Sequence, residues 1–118
     1  MLFRSGEQML TVNPRDADTI AHVAVCEAKL GRTAAVGHIA EARALAPGSR
    51  VVLQRSAEVH ALLGETAAAL TDLSAAIEHG YARPLAAAND EFASMKKLPA
   101  FQALVAPRTA APDRKSVV

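Results

Sequence analysis

The 118-residue chain has no tryptophan, one tyrosine and three phenylalanines, so aromatic residues make up only 3% of it. A core built on large rings is therefore excluded. There is a single cysteine, Cys26, so no disulfide can form within the chain, which fits a reducing compartment. A cytoplasmic location is the expectation, with a periplasmic one or a membrane-anchored parent as the alternatives. Net charge is also scarce: 13 Lys and Arg against 12 Asp and Glu leave +1. Such a balance offers no electrostatic footprint for nucleic acid or for an acidic membrane. No apolar run approaches the roughly 18 residues that a membrane span needs. The N-terminus lacks the long apolar stretch of a secretory signal, and glycine-rich phosphate-binding motifs are absent.

What is abundant is alanine, by a wide margin the commonest residue, within a hydrophobic fraction of 51%. Alanine is the strongest helix former, and its small side chain lets helices approach closely. The length fits one domain, and the composition predicts an all-α fold.

The two ends read differently. Residues 1–5, Met-Leu-Phe-Arg-Ser, and 113–118, Asp-Arg-Lys-Ser-Val-Val, resemble the translation of a short sequencing adaptor, one strand at each end. Such segments are set aside from fold reasoning. The expectation is a native stretch from Gly6 to Pro112 that belongs to a longer parent. Without Arg4, Arg114, Lys115 and Asp113 the formal charge becomes −1.

An internal repeat dominates the middle. Leu30-Gly31-Arg32-Thr33-Ala34-Ala35 returns as Leu63-Gly64-Glu65-Thr66-Ala67-Ala68. The offset from Leu30 to Leu63 also pairs Pro14 with Pro47, Ile20 with Leu53, Ala24 with Ala57 and Ala28 with Ala61. Each unit reads as two helices. Asp16 and Asp18 offer N-caps after Pro14. Ile20, Val23, Ala24 and Leu30 follow at helical spacing, and Gly31 ends the helix in the left-handed region. Thr33 caps the next helix, with Ala35, Ile39, Ala42 and Leu45 on one face, and Pro47-Gly48 stops it. Ser49 starts the second unit, with Leu53, Ala57, Ala61 and Leu63 inward. Thr66 caps its second helix, with Ala69, Leu73, Ala76 and Ile77 inward, and Gly80 ends it. Neither pair covers its own apolar stripe, so stacking on a neighbour is required.

This pattern resembles the tetratricopeptide repeat family. Its first-helix signature is a large residue, then Leu-Gly, then an aromatic. It falls on Ile20, Val23-Ala24 and Glu27, and again on Leu53, Ser56-Ala57 and His60. Its second-helix signature is Ala, a large residue four later and a terminal Pro. It falls on Ala35, Ile39 and Pro47, then on Ala69, Leu73 and Gly80. The small places match. The aromatic places hold Glu27 and His60 instead, and each unit is one residue short of the usual ~34.

The resemblance covers residues 6 to 82 and implies a superhelix of helical hairpins, an α-α solenoid. Residues 6–15 would end a preceding repeat, with Met9, Leu10 and Val12 apolar. Residues 16–48 and 49–82 would be repeats one and two. Residues 83–105 would form a helical cap of the kind that closes many bacterial arrays, with Phe92 and Phe101 together. Residues 106–118 would be a disordered tail.

In this family ligands lie against the first helices. Carried over, the groove-facing places are Asp18, Ala21, His22, Val25 and Lys29, then Gln54, Arg55, Glu58 and Leu62. The polar ones, Asp18, His22, Lys29, Gln54, Arg55 and Glu58, are the candidate binding residues. Ala21 and Val25 occupy two places of the Lys/Asn constellation that clamps a chaperone's C-terminal carboxylate, so that ligand is not expected.

Chemistry is harder to find. His22 and Cys26 lie four apart on one helical face, but a zinc site needs three or four ligands, and His38, His60 and His79 form no second pair. A His/Cys catalytic pair lacks a third orienting group. The glutamates are scattered, without the facing pair that acid–base chemistry uses. Lys96-Lys97 reads as a solvated helix end. No catalysis, cofactor or metal is expected. The expected function is a protein-binding scaffold, part of a larger bacterial protein, with a protein or peptide partner. The alternative is an accessory helical segment of a multidomain kinase, cyclase, transcriptional regulator or hydrolase. Self-association through an exposed N-terminal helix face is a further expectation.

Overall fold

A computed structural model describes residues 15–106, and among these there is no strand. Helix α1 spans Arg15–Lys29, α2 Ala34–Leu45, α3 Arg50–Leu62 and α4 Thr66–Glu78. The short α5 (Arg83–Ala88), a 3₁₀ segment (Asp90–Met95) and α6 (Pro99–Val105) follow. The expected end of a preceding repeat, but for Arg15, and the expected tail after Ala106 lie outside the described residues. No helix described is long and apolar enough to cross a membrane.

The repeat offset is visible in the backbone. Gly31 and Gly64 take φ of 77° and 82°. At the first bend Arg32 N–H reaches Glu27 O at 2.9 Å, and at the second Glu65 N–H reaches His60 O at 2.8 Å. These are the same closure at equivalent places of the two units, and they satisfy carbonyls that a helix end leaves open. Gly80, at φ 109°, closes α4 the same way through Tyr81 N–H to Ala76 O at 2.9 Å.

The helix starts are less uniform. Ser49 caps α3, its Oγ accepting from Val52 N–H at 3.2 Å. Thr33 and Thr66 do not act as side-chain caps. Thr33 already has right-handed helical φ and ψ, and Val36 N–H bonds its carbonyl at 3.0 Å instead. Thr66 is the first residue of α4 itself. Asp16 falls inside α1, which starts one residue earlier.

Helices α1 and α2 form one hairpin and α3 and α4 a second, with α3 packed beside both α1 and α2. That central helix divides two cores. Val52 and Val59 point into the first, with Ile20, Ala24, Val25, Ala35, Ile39 and Ala42. Leu53, Ala57 and Ala61 point into the second, with Ala69, Leu73, Ala76, Phe92, Met95 and Phe101. Each fully buried Leu, Ile or Phe contributes about 1.5–3 kcal/mol. The alanines contribute less singly but set the close spacing of the helices.

The C-terminal segment seals the second core. The 3₁₀ segment packs on α3, and α6 packs on α5 and α4. The Phe92 and Phe101 rings meet at a centroid distance of 5.9 Å, tilted by 56°, a favourable aromatic geometry. Arg83 Nε donates to Leu104 O at 3.0 Å and closes the end of α6.

Two expected core residues are not core. Val23 is 43% and Leu30 69% exposed. Leu63, at the repeat place of Leu30, packs on the first core, whereas no described element covers Leu30. Conversely, Ala21 and Val25, expected on the groove, are buried in the first core. There they share a cluster with Val52 and Val59 of α3.

Candidate functional site

Polar side chains of α3 and Asn89, the residue ahead of the 3₁₀ segment, converge on one carboxylate. Glu58 is buried, its side chain 1% exposed. Burying a charge is costly unless it is paired and hydrogen-bonded, and Glu58 is both. Gln54 Nε2 and Asn89 Nδ2 donate to Oε2 at 3.0 and 2.7 Å, and Arg55 Nη1 donates to Oε1 at 3.0 Å. Helical spacing places Gln54 and Arg55 beside Glu58. Asn89 arrives from the far end of α5, and Asn89 Nδ2 also lies 3.0 Å from Tyr81 Oη. Asn89 Oδ1 accepts from Glu91 N–H at 2.9 Å, starting the 3₁₀ turn. Burial, more than any neighbour, raises the Tyr81 phenol above its ordinary value.

Lys29, at the last turn of α1, reaches the same segment, with Nζ 2.7 Å from Glu91 Oε2. The hydrogen bond to Glu91, then the charge of Glu91, raises the Lys29 pKa. The pair is exposed on the lysine side, so salt weakens it.

Of the six candidate binding residues, the structure brings together Gln54, Arg55 and Glu58 and ties Lys29 to the neighbouring 3₁₀ segment. Asp18 and His22 are exposed on α1 and take no part in that network. The His22 ring meets Cys26 Sγ at 3.8 Å. Tyr81, Asn89 and Glu91 belong to the cluster without having been singled out for it. A partner on a different helix, as Glu58 is for Asn89, leaves no trace in local spacing.

Glu27 and His60 hold His–carboxylate contacts. In the first hairpin His38 Nδ1 lies 2.6 Å from Glu27 Oε1. In the second, His60 Nδ1 lies 2.6 Å from Glu65 Oε1, and Nε2 lies 3.7 Å from Asp72. Asp72 is buried and also receives Ser56 Oγ at 2.5 Å and Arg43 Nη1 at 3.1 Å. Ser, His and Asp thus meet, but in the wrong order for nucleophilic catalysis. The Ser56 proton goes to the carboxylate, and its side chain is fully buried. Base-to-nucleophile contact is what activation needs.

Among the described residues no group of three or more His, Cys, Asp or Glu is placed to hold a metal ion. No family model, curated protein or solved structure matches the chain.

Proposed function

We propose that the chain is a tetratricopeptide-type scaffold that binds a protein or peptide partner along the face shared by α1, α3 and the 3₁₀ segment. One observation carries this reading. The same helical hairpin occurs twice at a fixed offset, with the same glycine-closed bend at Gly31 and Gly64. Repeated hairpins present neighbouring first helices as one continuous surface. On that surface Asp18, His22 and Lys29 are exposed for recognition. Glu58, Gln54 and Asn89 act beneath it, fixing the angle between α3 and the closing segment. Mixed charge on the face favours a partner of mixed polarity over a polyanion.

Selection of a random peptide library on the full chain tests the proposal. An enriched peptide should lose affinity about fivefold or more on Lys29→Glu or His22→Ala. It should bind unchanged to Leu85→Asp, a change at an exposed residue of α5. A library that yields no binder, or a binder indifferent to both groove variants, overturns it.

A further inference from the structure

The offset lets each residue of α1 be compared with its counterpart in α3. Along α3, Val52, Ser56 and Val59 are completely buried and Leu63 is partly buried. Their counterparts on α1 are Thr19, Val23, Cys26 and Leu30, and all four are exposed. The core that takes in the α3 stripe is built from α1 and from the chain immediately before α3: Ile39, Ala42, Leu45 and Ala46 of the α2 end belong to it. The sequence ahead of α1 places Met9 at the position of Ala42, Val12 at that of Leu45 and Pro14 at that of Pro47.

A second observation points the same way. Where α2 crosses the second hairpin, Arg43 meets a polar pair, Ser56 and Asp72. The counterparts of those three residues are Leu10, Val23 and Ile39. All three have changed from polar to apolar together. A pocket of about 190 Å³, lined by Thr19, Ile20, Val23, His38 and Glu41, opens beside Val23. Apolar walls there match an incoming leucine as the carboxylate of Asp72 matches an incoming arginine.

We propose that the Thr19–Val23–Cys26–Leu30 stripe is a docking face for the chain's own residues 6–13, with Leu10 directed to the pocket. The inference rests on the repeat offset, the exposed stripe and the pocket beside it, and stands whether or not the groove binds a partner.

Cys26 is the only thiol in the chain and sits in the middle of the stripe, so its reactivity reads the cover directly. In the full native chain, labelling by an aromatic disulfide reagent should be slower than in the unfolded chain by about tenfold or more, as for any site that reacts only through local opening. Leu10→Asp should restore fast labelling while the helical circular dichroism is retained. Leu10→Ala, which only removes volume, should act in the same direction, and Leu85→Asp should have no effect. Labelling as fast in the native as in the unfolded chain, and unchanged by both Leu10 variants, overturns the proposal. So does protection that grows with protein concentration and ignores Leu10, because a second copy would then be the cover.

Discussion

Two glycines of identical chemistry should respond to alanine with opposite signs. Gly64 sits at φ 82°, and a Cβ built there meets no atom within 4 Å. Steric clash is therefore absent, and the cost of Gly64→Ala is the left-handed backbone itself, about 1–2 kcal/mol. Gly37 lies inside α2 with ordinary helical geometry, and its Cβ also meets nothing within 4 Å. There alanine removes only the entropic penalty of glycine, so Gly37→Ala should stabilise by about 0.5–1 kcal/mol. Gly31, at φ 77° with the same open surroundings, should match Gly64. Each kcal/mol moves the melting temperature by about 4–8 °C in a domain of this size, so thermal melts by circular dichroism separate the three variants. The reasoning fails if Gly64→Ala is neutral or stabilising, or if Gly31→Ala and Gly64→Ala shift the melt in different directions.

Three further outcomes follow from the packing and the polar network. Phe92→Ala empties the middle of the second core and should cost about 3–5 kcal/mol in chemical denaturation, whereas Leu85→Ala, on a residue 63% exposed, should stay within about 0.5 kcal/mol. Ser56→Ala removes a buried donor from the Asp72 carboxylate and should cost about 1.5–3 kcal/mol, measured the same way. Alkaline pH should destabilise the fold. Lys29 and Tyr81 both have folded values raised above 10.5 and 10.0 respectively. Their stabilisation is complete below those unfolded values and is lost as pH rises through the folded ones. Denaturation at stepped pH checks this, and the ultraviolet absorbance of the single tyrosinate should appear above the ordinary phenol range.

Much of the architecture was legible because the same pattern occurs twice. Gly31 and Gly64 marked the bends, and Ile20, Ala24, Ile39, Leu53, Ala57 and Leu73 marked buried faces, by spacing alone. Val23 and Leu30 misled because their repeat counterparts are buried by a preceding helix. On α1 no described element fills that role. Ala21 and Val25 misled in the other direction, since they share a cluster with Val52 and Val59 of α3. Thr33 had the chemistry of a cap but not its backbone conformation. The candidate face was legible only in its local part. Gln54, Arg55 and Glu58 share a helix, and spacing finds them. Asn89, Tyr81 and Glu91 join them through the path of α5 and the 3₁₀ segment, which no periodicity records. The Glu27–His38 and His60–Asp72 contacts were hidden because each joins residues on two different helices.

The central claim is that α3 stands between two cores built by equivalent hairpins. Nuclear Overhauser contacts from its methyl groups test that most directly. Val52 and Val59 should show contacts to Ile39 and Ala42 of the first hairpin, and Leu53 should show them to Leu73, Phe92 and Met95. Contacts from all three residues to a single shared cluster, or from Leu53 to Ile39, would contradict it.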